Sequence, residues 1–251
     1  MSQRTSMRIV GWNIRAGGGR RVSRIARALA HWHPDLVALS EFRGTPPSEE
    51  LARLLRHQGL PFQCTTADAE VPARNALLVA SRWPLCRLRG TSDVPQEPAR
   101  WLPVRVEAPQ PLILGALHVP NRATGRKLTF LDGARLQAER WRAEQAVIIG
   151  DTNSGKPDID EQSPAFNQHE GGWIDALHDI GWRDAYRLHA GRRRAYTWYS
   201  PNRDNGFRLD QAFLSPAVAD RLRRATHCWA GGSRRSGVSD HAAVLVDIRT
   251  K

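Results

Sequence analysis

The run Ile148-Ile149-Gly150-Asp151-Thr152-Asn153 ends an apolar segment on a carboxylate and an amide two residues apart. In a strand, residues two apart share a face, so Asp151 and Asn153 could point at one ligand. Gly, Asp and Asn also favour turns, so this pair alone does not separate chemistry from a bend. Ser239-Asp240-His241 likewise stands at the edge of an apolar run, Ala242-Ala-Val-Leu-Val-Asp-Ile248. A histidine entering a strand serves as readily as a satisfied structural residue. Asp210 precedes Ala212-Phe213-Leu214 in the same way, and a buried Asp can hold an imidazole in one tautomer and favour its charged form. Glu41 follows Leu36-Val37-Ala38-Leu39, Asn13 closes Gly11-Trp12-Asn13, and His118 and Asn121 follow the apolar stretch Leu112–Leu117.

Each signal is weak singly. Jointly, six apolar segments each deliver a polar, metal-competent group near one end. Packing alone requires no such coincidence. Carboxylates and amides without thiolates suit a hard, oxygen-seeking ion, Mg²⁺ or Mn²⁺.

The elements that must carry these groups follow from periodicity. Residues 7–14 predict a strand, and Val22, Ile25, Ala26 and Leu29 repeat as one stripe of a helix. Asp35–Ser40 predicts a strand, and Ser48-Glu49-Glu50 predicts a helix start that runs to Gly59. Further strands are expected near 75–82, 103–107, 112–118, 146–149, 196–199, 208–214, 226–230 and 242–248. Helices are expected around Phe130–Trp141, near 172–180 and after Ser215-Pro216, with Ser154–Gly172 as a long surface loop. Strand-to-strand steps without a helix exclude a strict βαβ rhythm. The reading is an α/β (α+β) chain of two packed sheets with helices outside. A flexible tail over 1–6 is expected to precede a single domain over 7–251.

Hydrophobic residues make up 41% of the 251, enough for a core, and no apolar run approaches the length of a membrane span. No signal peptide is expected in the polar first residues. Cys64, Cys86 and Cys228 are scattered, which disfavours a disulfide framework or zinc cluster and fits a reducing cytoplasm. Net charge is +12, carried almost wholly by arginine, whose fork suits phosphate, although an Arg-rich solvated surface would look the same.

In chain order, the motifs are Trp12-Asn13, Ser40-Glu41, Asn75 with Ser81-Arg82, His118-Val-Pro-Asn121, Gly150-Asp151-Thr-Asn153, Tyr196-Thr197-Trp198, Arg208-Leu209-Asp210 and Ser239-Asp240-His241. This series resembles the endonuclease/exonuclease/phosphatase (DNase I-like) superfamily, nearest to its exonuclease III-like and DNase I-like nucleases. The resemblance covers nearly the whole chain. It implies a four-layer α/β-sandwich with the site at one edge of both sheets. It also implies that Glu41 holds the divalent ion with Asn13 and Asp240, that Asp151 positions or deprotonates the attacking water, and that Asn153 and Asn121 donate to the phosphate. Asp210 would orient His241, as general base or as donor to the pentavalent phosphate; the resemblance leaves open whether Asp151 or His241 takes the proton. His118, a position that is Tyr in many abasic-site nucleases, would donate to the leaving group or phosphate. Arg15 stands where some abasic endonucleases place an acid, which argues against a second metal and for phosphate contact. Asn75 and Arg208 join the implied substrate contacts, and Trp198 and Phe207 resemble the apolar pair of a sugar pocket, although core packing would also use them.

Three functions are compatible with these residues: a DNA nuclease, a phosphatase or phosphodiesterase acting on a lipid headgroup or small phosphoester, and a non-catalytic DNA-binding module. The arginine excess, including Arg192–Arg194 and Arg234-Arg235, favours nucleic acid as partner. Every acidic and imidazole role is filled, which disfavours the third. No obligate protein partner is evident, and a monomer is expected.

Overall fold

Alternation along β1 (Ser6–Asn13) sends Met7 and Ile9 to one face of the strand and Val10 and Trp12 to the other. Both faces are buried, so β1 must lie between two layers. The computed structural model describes residues 6–88, 95 and 97–250. The tail expected over 1–6 therefore falls outside the described residues, except that Ser6 already opens β1.

Numbered along the chain, one six-stranded sheet has the order β13 (Leu222–Cys228), β14 (Ala243–Arg249), β1, β2 (Leu36–Phe42), β4 (Ala76–Ser81), β3 (Phe62–Thr65). The other runs β5 (Leu85–Arg87), β6 (Trp101–Val106), β7 (Leu112–His118), β8 (Ala146–Asp151), β12 (Asp210–Leu214), β9 (Arg183–Asp184). A two-stranded ribbon joins β10 (Trp198–Tyr199) to β11 (Gly206–Phe207). The sheets face each other across a core of Ile9, Leu36, Val79, Leu114, Val147, Ile149 and Val246. On the outer face of the first sheet pack α1 (Val22–Trp32) and α2 (Pro46–His57); on that of the second pack α3 (Lys127–Arg140) and α4 (Gln168–Asp179). The four-layer sandwich expected from the resemblance is observed.

Local chemistry sets the boundaries. The apolar stripe of α1 ends where His33 turns left-handed at φ 50° before Pro34. The start of α2 differs from expectation: it begins at Pro46 after Thr45, and Ser48 lies inside the helix, buried. Its hydroxyl donates to Gly17 O and accepts from Arg43 N, tying α2 to the loop after β1. The stretch expected as a loop to Gly172 is a loop only as far as Asn167, which forms a reciprocal capping box with Glu170 and starts α4. Its remainder is organised by two buried acids. Asp160 accepts from Lys156 N, and Glu161 accepts from Asp158 N, Ala165 N and Phe166 N. Sequence periodicity missed β3, β5, β9 and α5 (Ala185–Ala190), which are edge strands of two to four residues and a helix of six.

The strand registers bring the site together. β7 and β8 are parallel with His118 opposite Asp151, and β12 runs antiparallel to β8 with Asp210 opposite Asp151. In the other sheet Asn13 lies opposite Ser40, and Gly11 opposite Val244, which places Asp240 and His241 beside the end of β1. The sheets approach closely here: a Cβ on Gly11 would lie 2.6 Å from Ile149 Cγ1. Gly150 is required by its φ of 147° and by Leu117 O, 2.0 Å from where its Cβ would stand.

Candidate active site

At this shared edge Asp151 is the central side chain, 2% exposed. Its Oδ2 accepts from Asn13 Nδ2 at 3.0 Å and lies 3.7 Å from His118 Nε2 and 4.0 Å from His241 Nε2. Its Oδ1 accepts from Asn153 N at 2.9 Å. Burial, with the charge of Asp210 adding, pushes the Asp151 carboxyl above its ordinary range against the pull of both histidines.

The two imidazoles are driven apart. Burial, reinforced by Arg100 and His241, lowers His118 to about 4, so it is neutral at pH 7. Burial also opposes a charge on His241, yet Asp210, by charge and a 2.8 Å bond to Nδ1, outweighs it; with Asp151 and Asp240 it pushes His241 up to about 10. Asp210 is itself fixed from behind: Thr197 Oγ1 accepts from Leu209 N and Asp210 N at 2.9 and 3.0 Å. Thr197 lies in the Tyr196-Thr197-Trp198 motif, but its type gave no reason to assign it a part.

Glu41 sits at the bulge where the β2–β4 register shifts between Ser40 and Phe42, in a left-handed conformation of φ 57°. Such a φ is costly for a non-glycine residue and is held here by its surroundings. Oε1 accepts from Asn13 Nδ2 at 3.2 Å, Oε2 from Ala16 N at 2.7 Å, and Glu41 O from Gly17 N at 2.7 Å. Asp240 has one carboxylate oxygen 3.9 Å from Arg15 Nε and the other buried with no hydrogen-bond partner.

Two oxygen-rich sets could therefore hold a cation. Asp151, Asp210 and His241 present ligand atoms within 4.8 Å of one another. The Nδ1 atom of His241 is already bonded to Asp210, however, and a cation there would displace the proton that bond shares. Glu41 and Asp240 suit a hard divalent ion better, being carboxylates, one of them with a buried oxygen that has no partner; the Asn13 amide turns Nδ2 to Glu41 and its Oδ1 to Arg15 N, and would join them by turning that oxygen inward.

Asn153 also has a left-handed φ, 45°. Its Nδ2 donates to Val119 O at 2.7 Å, and its carbonyl accepts from Lys127 Nζ. Lys127 is buried, and its other partner is Glu170, which Arg122 also holds at 2.6 Å. Lys127, one of three lysines among 37 basic residues, opens α3 ahead of the stripe expected from Phe130, and the sequence reading did not single it out. Beside Asn153 a cavity of about 210 Å³ is walled by Trp198, Phe207 and Phe166, with Asn121, Arg122 and Lys127 opposite. The ring centroids of Phe207 lie 6.0 Å from Trp198 and 5.4 Å from Phe166, and Trp198 stands 6.3 Å from His241.

The structure thus brings together Asn13, Glu41, His118, Asp151, Asn153, Asp210 and His241, with Trp198, Phe207 and Asn121 around the adjoining cavity. Arg15 is exposed and near Asp240. Asn75 pairs with Arg43 Nε at 2.7 Å and bonds to no member of the cluster. Arg208 is a correction. It is 1% exposed and bonds to Asp160 at 2.7 and 3.0 Å and to Asp184 at 2.6 Å, so its guanidinium is in the core and no phosphate reaches it. Of the arginines expected near the site, Arg234 stacks 4.0 Å from the Tyr199 ring centroid and pairs with Asp204, and Arg194 donates to Asp158 O. All three cysteines are free, and among the described residues no helix is long and apolar enough to cross a membrane.

A comparison of the sequence with curated proteins finds no match. Among solved structures, the 3′ phosphatase NExo from Neisseria, bound to a product DNA hairpin, superposes with a TM-score of 0.80 at 21% identity, covering 97% of this chain and 100% of that one. An AP endonuclease from Archaeoglobus fulgidus gives 0.76 at 18% identity over 96% and 98%, and the AP endonuclease LMAP from Leishmania major gives 0.75 at 16% over 98% and 89%. These likenesses establish the fold. The sequence model of the Endonuclease/Exonuclease/phosphatase family matches residues 10–241. With that match across both sheets and the whole site, the chain belongs to the endonuclease/exonuclease/phosphatase family and is a phosphoester hydrolase.

Proposed function

We propose that this protein is a divalent-metal-dependent DNA nuclease. The observation that carries the reading is the buried cluster in which Asp151 Oδ2 lies 4.0 Å from Nε2 of His241, whose Nδ1 is held by Asp210 at 2.8 Å, beside an aromatic cavity. A carboxylate whose affinity for protons is raised, facing a cationic imidazole, suits attack by water on a phosphodiester. Asp151 takes the proton from water, and His241, already protonated, donates to the phosphate oxygen that gains charge. The bond from Asp210 supports this division, since a group that holds its proton up to about pH 10 is a poor base and a good donor. His118, neutral, and Asn153, locked by three hydrogen bonds, add donors on either side of Asp151.

Glu41, Asp240 and Asn13 would hold Mg²⁺ or Mn²⁺. When bound, the ion neutralises a phosphate oxygen and stabilises charge on the leaving oxygen. DNA as substrate is supported by the net charge of +12 and by the aromatic cavity, whose faces suit a displaced base or sugar. NExo and the two AP endonucleases, as their names state, are a 3′ phosphatase with product DNA and abasic-site enzymes, in line with this reading. The test is a substrate panel of supercoiled plasmid, single strand, abasic-site duplex, RNA and a small phosphodiester, run with Mg²⁺, Mn²⁺ and chelator. Metal-dependent cleavage of DNA that falls steeply with salt supports the proposal. Turnover of the small diester with DNA left intact overturns it.

A further inference from the structure

The loop after β1 reverses the usual hand of the backbone. Arg15, Ala16, Gly17, Gly18 and Gly19 all have positive φ, of 55°, 50°, 70°, 78° and 49°. Arg15 and Ala16 are not glycine, so this turn is locally unfavourable and is imposed by its contacts. It aims three successive N–H groups at the site. Arg15 N donates to Asn13 Oδ1 at 2.9 Å, Ala16 N to Glu41 Oε2 at 2.7 Å, and Gly17 N to Glu41 O at 2.7 Å. The conformation of the loop therefore sets the carboxylate of Glu41.

The turn is pinned from two sides. From α2, Ser48 Oγ donates to Gly17 O at 3.0 Å. From the N-cap of α1, the half-buried Arg21 reaches back over the loop. Its Nη1 donates to Ile14 O at 3.0 Å and to Val238 O at 2.6 Å, and its Nη2 donates to Arg15 O. Val238 stands 217 residues further along the chain and two before Asp240. Ser239 Oγ adds a bond to Asn13 O at 2.7 Å. One guanidinium thus ties the segment that orients Glu41 to the segment that carries Asp240.

Charge does not account for this placement. Among the described residues Arg21 forms no ion pair, and its three side-chain bonds all go to carbonyls. It nevertheless lies within electrostatic reach of Asp240 and Glu41, where a fixed positive charge opposes any cation between the same carboxylates. What three converging carbonyls require is a rigid planar fork of donors, which arginine alone supplies. Resting on the reading of Glu41 and Asp240 as ligands of a divalent ion, we propose that Arg21 is a positioning residue of that centre. It holds the two carboxylates at their working separation, acting through the backbone alone.

The test is Mn²⁺ binding to the protein without nucleic acid, followed by loss of the free-ion signal in electron paramagnetic resonance. Arg21→Met keeps an aliphatic stem and removes the fork. Positioning predicts a Kd raised at least about tenfold, the range for groups that orient metal ligands. Loss of the positive charge by itself would lower the Kd, so the two effects have opposite signs. Arg21→Lys retains the charge and donors without the fixed fork, and its Kd should fall between those of Arg21→Met and the unmodified protein. Arg27→Met removes the same charge from an exposed position of α1, where Nε bonds to Ser23 O, and should not raise the Kd. A misfolded fraction lowers the number of ions bound per chain and leaves the Kd of the remainder unchanged, so it does not imitate the expected result. A Kd in Arg21→Met no higher than that of Arg27→Met overturns the positioning role; if Glu41→Gln weakens binding in the same series, the metal reading stands. Mn²⁺ bound as tightly by Glu41→Gln as by the unmodified protein overturns the metal reading itself.

Discussion

Replacing Arg208 by methionine removes a guanidinium that is 1% exposed while keeping most of its volume. Three hydrogen bonds are lost, two to Asp160 and one to Asp184. Stripping one partner from a buried ion pair costs about 3–5 kcal/mol, because the remaining charge stays desolvated. Asp160 retains Arg187 and the Lys156 N–H, which moderates its share. Asp184 keeps only the two cap N–H groups of Tyr186 and Arg187 and loses its cation outright. About 4 kcal/mol is therefore expected. For 251 residues, at about 2.1 cal/mol/K each, that lowers Tm by roughly 8 °C. Adding Asp184→Asn should recover part of the loss, since Asn still caps α5 and no stranded charge remains. The network also has an acid signature. Burial would raise Asp160, but Arg208 and Arg187 outweigh it and hold the carboxyl below its usual 3.8. Stability from this pairing is thus complete above the unfolded value and is lost as pH falls below about 4, a limb that Arg208→Met should flatten. Calorimetry across pH and duplex binding across salt settle the matter together. An unchanged Tm with weaker, less salt-dependent DNA binding would refute the structural role and restore Arg208 to the substrate.

Three further outcomes concern the chemistry. Asp151→Asn should lower hydrolysis by about a thousandfold, in the range for losing a general base, with Tm and duplex affinity little altered; full activity in the purified variant would remove Asp151 from that role. Asp210→Asn takes away the strongest support of the His241 charge, so His241 should titrate nearer its ordinary 6.5. Since the donor form is lost as pH rises through that value, the variant's rate should decline above neutrality, whereas the unmodified protein should show no such limb from His241 until about pH 10; coincident pH profiles would exclude the donor assignment. Glu41→Gln should shift half-saturation by Mg²⁺ or Mn²⁺ at least tenfold upward, and an unmoved metal titration counts against its ligand role.

What made the site legible in sequence was the habit of apolar strands ending on Asp151, His118 and Glu41, because register turns such ends into neighbours. His118 and Asp210 are both opposite Asp151 in adjacent strands, a relation that alternation within each segment cannot state but that six converging ends imply. The elements missed are those without a period to display: β9 has two residues, and β3 is an edge strand with one face outside the core. Arg208 shows the other limit. Beside Leu209-Asp210 it has the type and place of a phosphate ligand, and only the tertiary fold sets Asp160 and Asp184 against it, 48 and 24 residues away in the chain. Arginine is ambiguous in sequence for a physical reason: the same planar fork that grips a phosphate grips two buried carboxylates. The acids decide which. Where the fold supplies them, as around Arg208, the guanidinium is structural.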